Sequence, residues 1–118
     1  MSAPADFTHT DIDPAQLADW MTEDPGLQVV DVREAYEREA GYIEGSRHIP
    51  LVELSSRAQE IERGRPVVFY CRVGARSDMA VQAFRATGTQ ALSMSGGLVR
   101  WAAEERPLSP EGGLVADH

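Results

Sequence analysis

The chain has 118 residues, 42% hydrophobic and 25% charged, the size and balance of one globular domain rather than of a disordered or disulfide-built chain. Nineteen acidic residues against eleven basic ones give a formal charge of −8, which repels nucleic acid and anionic membrane surfaces. No apolar run approaches the roughly 20 residues of a membrane helix.

All eleven basic residues are arginine, which removes Schiff-base chemistry on a lysine. The single cysteine, Cys71, removes any internal disulfide and fits a reducing cytoplasm. The first ten residues have neither a basic start nor an apolar stretch, so no secretory leader is expected.

Asp13-Pro14 predicts an N-cap with proline at the first helical position, opening a helix to about Thr22 with Leu17, Trp20 and Met21 inward. Asp24-Pro25-Gly26 turns the chain, and Leu27 to Val32 reads as a strand buried on both faces. Arg33 to Ala40 predicts a short solvated helix closed by Gly41, followed by an irregular stretch with a brief strand from Ile43 to Leu51. Val52 to about Arg63 predicts a helix with Leu54, Ala58 and Ile61 on one face, broken by Gly64-Arg65-Pro66.

Val67-Val68-Phe69-Tyr70 carries the strongest strand pattern and ends at Cys71. Ser77 to Thr87 predicts an amphipathic helix ended by Gly88, and Ala91 to Met94 another strand. Gly96-Gly97 leads into a last helix with Leu98, Trp101 and Ala102. From Arg106 the composition is that of a loose tail, which divides the chain into a domain over 1–106 and a tail over 107–118. Strands alternating with helices predict an α/β fold, an open, mostly parallel sheet with helices on both faces. In such sheets ligands bind at the carboxyl ends of the strands, where Cys71 and Asp31 both fall.

A lone cysteine is either a buried hydrophobe or a nucleophile. The flanks favour the second. Cys71-Arg72-Val73-Gly74-Ala75-Arg76-Ser77 joins a strand to a helix, a transition that turns amide groups toward one concave site at the positive end of the helix dipole. Gly74 permits positive φ, and two arginines add fixed charge. These neighbours favour the thiolate, so ionisation below the reference value of about 8.5 is expected. His9, His48 and His118 offer no evident partner for a protease-type dyad, and with Cys71 they make no metal-ligand spacing; neither metal nor cofactor is expected.

The sequence resembles the rhodanese family of sulfurtransferases in its single-domain form. The resemblance rests on Asp31-Val32-Arg33 continuing through Glu37, Gly41-Tyr42-Ile43-Glu44-Gly45 and His48-Ile49-Pro50-Leu51, on the loop from Cys71 to Ser77, and on Gly96-Gly97-Leu98-Val99-Arg100-Trp101. It implies a rhodanese-like fold and a thiosulfate sulfurtransferase in which Cys71 takes sulfane sulfur from thiosulfate or a related donor as a persulfide. Cyanide or a thiol, such as thioredoxin or glutathione, then receives it.

Carried over by position, Arg72 and Arg76 hold the anionic donor, and the amides of Arg72, Val73, Gly74, Ala75, Arg76 and Ser77 form the cradle. Asp31 and Arg33 give structural support, while Trp101 and the Gly96-Gly97 pair pack beside the site. Tyr42 stands where the family commonly has histidine, and is expected as a packed residue; His48 stands where asparagine or alanine is usual, and is expected as a satisfied loop histidine. The loop is not the Cys-Gly-Ser-Gly type tied to mercaptopyruvate, and its arginines favour a strongly anionic donor.

Tyrosine-phosphatase-type loops place five residues between cysteine and arginine; here four separate Cys71 from Arg76, which suits sulfur better than a phosphoryl group or arsenate. The reading from another class is a non-catalytic rhodanese-like binding module. Partners expected are a small anionic, thiosulfate-like sulfur donor and a thiol acceptor, with no nucleic acid, no membrane and a monomeric chain.

Overall fold

A computed structural model gives the structure of the chain over residues 10–117. Residues 1–9, nine of the ten read for a leader and among them His9, and His118 lie outside the described residues. Asp13 opens the first helix as predicted: its carboxylate accepts from the Gln16 amide at 2.7 Å, and the Gln16 side chain accepts from the Asp13 amide at 3.1 Å. This helix, α1 (Pro14–Glu23), follows a two-residue strand, β1 (Asp11–Ile12). Then come β2 (Gln28–Asp31), α2 (Ala35–Ala40), β3 (Arg47–His48), β4 (Val67–Tyr70), α3 (Ala75–Arg85), β5 (Ala91–Met94) and α4 (Gly97–Ala103).

The five strands form one sheet in the order β1-β5-β4-β2-β3, parallel at every pairing. Alternation along the central strand β4 feeds two apolar layers. Val68 and Tyr70 pack with Leu17 and Trp20 of α1 and Leu98 and Trp101 of α4. Val67, Phe69 and Cys71 pack on the other face with Ala80, Val81 and Phe84 of α3, and with Leu54 and Ile61. Phe69 and Phe84 meet as tilted rings 5.1 Å apart. Burying each such large side chain contributes about 1.5–3 kcal/mol, enough to hold both ends of β4 rigidly under the site.

Three expectations are corrected. Val52 to Arg63 is not a helix; this stretch holds two 3₁₀ turns, Leu51–Glu53 and Ala58–Glu60. Leu54 and Ile61 are buried as read, but Arg57 bridges Glu53 and Glu60, and Arg47 of β3 pulls Glu60 toward the sheet edge. The helix expected from Ser77 begins at Ala75.

The tail over 107–117 is not loose. Trp101 Nε1 donates to the Pro107 carbonyl at 2.8 Å, and Tyr42 and Ser109 exchange two backbone hydrogen bonds. Leu114 N donates to the Ala40 carbonyl, and Leu108 and Val115 pack on the core. The chains approach closely where Gly41 meets this segment: a Cβ there would lie 2.8 Å from the Leu114 nitrogen. Among the described residues no helix is long and apolar enough to cross a membrane.

Candidate active site

β4 ends at Tyr70 and α3 begins at Ala75, so residues 71–74 complete the strand-to-helix turn. Gly74 takes φ +118°, the left-handed conformation its lack of a Cβ allows. That conformation brings its amide to donate to Cys71 Sγ at 3.1 Å. From the other side, the Leu98 amide donates to the Cys71 carbonyl at 2.8 Å and the Val99 amide to the Arg72 carbonyl at 3.0 Å. The first turn of α4 therefore fixes the loop's carbonyls. The amides of Arg72, Val73, Ala75, Arg76 and Ser77 find no acceptor among the described residues, as expected where a helix begins.

Gly97 makes this clamp possible. It has φ +62°, and a Cβ there would run into the Arg72 carbonyl group and lie 2.6 Å from the Val73 nitrogen. Gly97→Ala is expected to cost at least about 2 kcal/mol, from backbone strain and collision together. It should also displace the Cys71 loop, so the urea midpoint falls and the alkylation rate of Cys71 changes. An unchanged midpoint would mean α4 does not clamp the loop.

Cys71 is a free thiol, 1% exposed, with Val67, Phe69 and Ala80 in its apolar layer. The hollow read from the sequence is thus closed around sulfur. Sγ meets the Gly74 amide and, at 3.6 Å, the Ser77 hydroxyl. An open groove of about 910 Å³ runs beside the loop past Val73, Gly74, Asp78 and Ser93, with Cys71 behind its wall rather than in its lining.

The two loop arginines part company. Arg76 sends both terminal nitrogens to Glu37, at 2.7 and 2.9 Å, and Glu37 is fully buried. Both terminal nitrogens are therefore engaged by Glu37, and the guanidinium is a fixed positive charge beside the loop. The Glu37 hydrogen bonds raise the Arg76 guanidinium against the cost of burial, with the charges of Glu37 and Cys71 adding to them. Burial pushes the Glu37 carboxyl up, but hydrogen bonds from Arg76 and the Glu34 amide, with the charges of Arg76 and Arg33, outweigh it and hold it below its ordinary range. Arg72 is freer. It is 29% exposed, one terminal nitrogen touches the exposed carboxylate of Asp117 at 3.2 Å, and its buried Nε has no partner among the described residues.

Asp31 and Arg33, expected as structural support, form an ion pair at 2.8 Å, both fully buried. Asp31 Oδ1 accepts from the Arg33 amide and Nε, and Oδ2 from Arg33 Nη2, Arg38 and the Tyr70 hydroxyl. Burial first, then the Asp31 charge, push the Tyr70 hydroxyl up, so it serves as a neutral link to Ser46 and the Ile43 amide. His48 Nε2 donates to the Arg33 carbonyl at 2.8 Å, a satisfied histidine. Tyr42 is half-buried under the Arg38 guanidinium, 4.1 Å from its ring centre. Trp101 packs in the α1–α4 layer and not at the thiol, whereas Gly97 does touch the loop.

Glu37 and Ser93 were missed as neighbours of the loop. Glu37 reaches it across 39 residues and Ser93 across 16, and neither has a local pattern that distinguishes it from a solvated helix acid or a strand polar residue.

Residues 13–104 match the rhodanese-like domain family. The chain is 43% identical over 75 residues to YqhL of Bacillus subtilis, covering 63% of this chain and 60% of that one. It is 32% identical over 99 residues to the probable adenylyltransferase/sulfurtransferase MoeZ of Mycobacterium tuberculosis, 81% of this chain but 25% of MoeZ. The chain thus spans three fifths and a quarter of the length of these two relatives. A sulfurtransferase of Allochromatium vinosum is 33% identical over 104 residues, covering 86% and 97% of the two chains. The crystal structure of a rhodanese-related protein from Thermoplasma volcanium superposes with a TM-score of 0.79 at 30% identity, covering 87% of this chain and all of that one.

Proposed function

The chain belongs to the rhodanese-like domain family, and from that membership we propose that it is a sulfurtransferase that carries sulfane sulfur on Cys71. The observation that carries this reading is the seat of the sulfur: Sγ lies at the end of β4, takes a hydrogen bond from the Gly74 amide, and is followed by five amides without acceptors among the described residues. A preorganised set of donors beside a sulfur nucleophile stabilises negative charge on sulfur without reorganisation.

In the first half-reaction the thiolate attacks the outer sulfur of thiosulfate; the S–S bond to the sulfonate breaks and sulfite leaves with the bonding electron pair. The product is a Cys71 persulfide anion. In the second, cyanide or a thiolate takes the terminal sulfur, giving thiocyanate or a new persulfide and restoring the Cys71 thiolate. Arg72, with its accessible guanidinium, is assigned the sulfonate. Arg76 contributes charge through the loop, and the amides from Arg72 to Ser77 hold the persulfide. The Asp31–Arg33 pair supports the wall behind them.

The experiment is intact-mass spectrometry after incubation with thiosulfate. The expected result is a chain heavier by one sulfur atom, returned to its starting mass by cyanide with release of thiocyanate. The burial of Cys71 favours a second reading, a non-catalytic binding module. No mass gain, together with alkylation no faster than that of a free model thiol, would decide for it.

A further inference from the structure

Behind the nucleophile, on the α3 side of the sheet, two buried hydroxyl groups touch. Ser77 Oγ lies 2.6 Å from Ser93 Oγ, 3.0 Å from the Gly74 carbonyl oxygen and 3.6 Å from Cys71 Sγ. Ser77 is fully buried and Ser93 is 1% exposed. Ser93 sits on β5 in register with Phe69 of β4, so its position is set by the sheet and not by the loop it reaches.

A serine hydroxyl has one proton and two lone pairs, and that arithmetic decides the direction of these contacts. Among the described residues Ser93 Oγ has only Ser77 as a partner. Were Ser77 to donate to Ser93, the Ser93 proton would be left buried without an acceptor, a cost of about 1–3 kcal/mol. Ser77 would also have nothing left to offer the sulfur. With Ser93 donating instead, every group is served. While Cys71 is a thiol, its S–H donates to Ser77 Oγ, and Ser77 donates to the Gly74 carbonyl. When the sulfur is an anion, the Ser77 proton turns from that carbonyl to Sγ. The Gly74 carbonyl keeps a partner throughout, because the Asp78 amide donates to it at 2.9 Å.

We propose that Ser93 is a positioning residue for Cys71: by donating to Ser77 it orients that hydroxyl so that its proton is free for the sulfur whenever the sulfur is negative. The proton never leaves the Ser77 oxygen; only the O–H bond rotates. The proposal rests on the reading of Cys71 as the sulfur-carrying nucleophile, and its test does not require sulfur transfer.

The rate of alkylation of Cys71 by iodoacetamide is followed against pH for the unaltered chain, Ser77→Ala, Ser93→Ala and the double variant. Intact mass reports the single cysteine, and near-ultraviolet circular dichroism checks the fold. Loss of a hydrogen bond to a charged group sets the scale, so Ser77→Ala is expected to slow alkylation at neutral pH by about tenfold and to move the curve to higher pH. Ser93→Ala should move it the same way by about threefold, on the order of one weaker indirect contact.

The double variant should match Ser77→Ala alone, since Ser93 acts through Ser77, and Ser93→Thr should restore the original curve. A Ser93→Ala curve superimposed on the original, or an equal slowing by Ser93→Ala in the Ser77→Ala background, would overturn the proposal. If Ser93→Ala does not fold, Ser93→Thr against Ser93→Val, alike in shape and differing in the hydroxyl, makes the same comparison. Absence of persulfide formation with these shifts intact would count against sulfur transfer and not against the Ser93 role.

Discussion

Replacing Cys71 with serine is expected to reduce sulfur transfer from thiosulfate to the uncatalysed background, a loss on the order of a thousandfold or more, as when a nucleophile is removed from a preorganised site. An alcohol at this position is neither ionised near neutrality nor able to hold sulfur as a persulfide. The chain should still fold, because the added polarity has partners at hand: the Gly74 amide already donates to atom γ of residue 71, and the Ser77 hydroxyl stands beside it. Alkylation should vanish with it, since there is no second cysteine. The check is thiocyanate production and intact mass before and after thiosulfate. Turnover retained by Cys71→Ser would remove the residue from the mechanism.

The second large effect falls on stability. Arg76→Ala leaves the Glu37 carboxylate buried with its main counter-charge gone, and losing one partner of such a pair costs about 3–5 kcal/mol in a fully buried setting. Arg76 is 22% exposed, so screening and entering water reduce that to about 2–3 kcal/mol.

The sign of the pH dependence follows from Glu37. In the unaltered chain its carboxyl is held below the ordinary 4.5, so its contribution is present above that value and is lost as pH falls through the lower, folded one. Without Arg76 the remaining influence of burial pushes the carboxyl up, and the variant is penalised where the group must ionise. The gap between the two proteins in urea unfolding should therefore be widest near pH 7 and shrink toward pH 4, on linkage grounds. Glu37→Gln in the Arg76→Ala background should recover much of the loss, because an uncharged side chain no longer needs the guanidinium. A gap that does not change with pH would show that the pair is not what holds α2 to the loop.

The parts of this molecule legible in the sequence are those whose cause is local. Asp13-Pro14 caps a helix through atoms three residues apart, Val67 to Tyr70 announces a buried strand, and Cys71 to Ser77 concentrates a thiol, a glycine and two arginines in one turn. The Asp31–Arg33 pair was legible through family resemblance, and its two residues are neighbours.

What was misread has distant causes. Leu54, Ala58 and Ile61 fit a helical face, yet a spacing of three also fits a 3₁₀ turn, and one contact of this stretch, Arg47 to Glu60, comes from β3. The pairing of Arg76 with Glu37 was not legible, because Glu37 lies 39 residues away on a helix that reads as solvated. The tail looked loose by composition, but its glycines allow the backbone contact with Gly41 that fixes it. β1 has two residues and no pattern of its own; it exists through pairing with β5.

The division of β4 between two apolar layers carries a constraint on how this protein can vary. Val67, Phe69 and Cys71 share one side and Val68 and Tyr70 the other, so the thiol's orientation is inherited from odd and even places along the strand. Adding or deleting a single residue within it would put the phenol of Tyr70 where sulfur now meets the Gly74 amide, and would send the thiol toward Trp101 and the Asp31 carboxylate. Evolutionary or engineered changes of length must therefore occur in the connections, or come in twos.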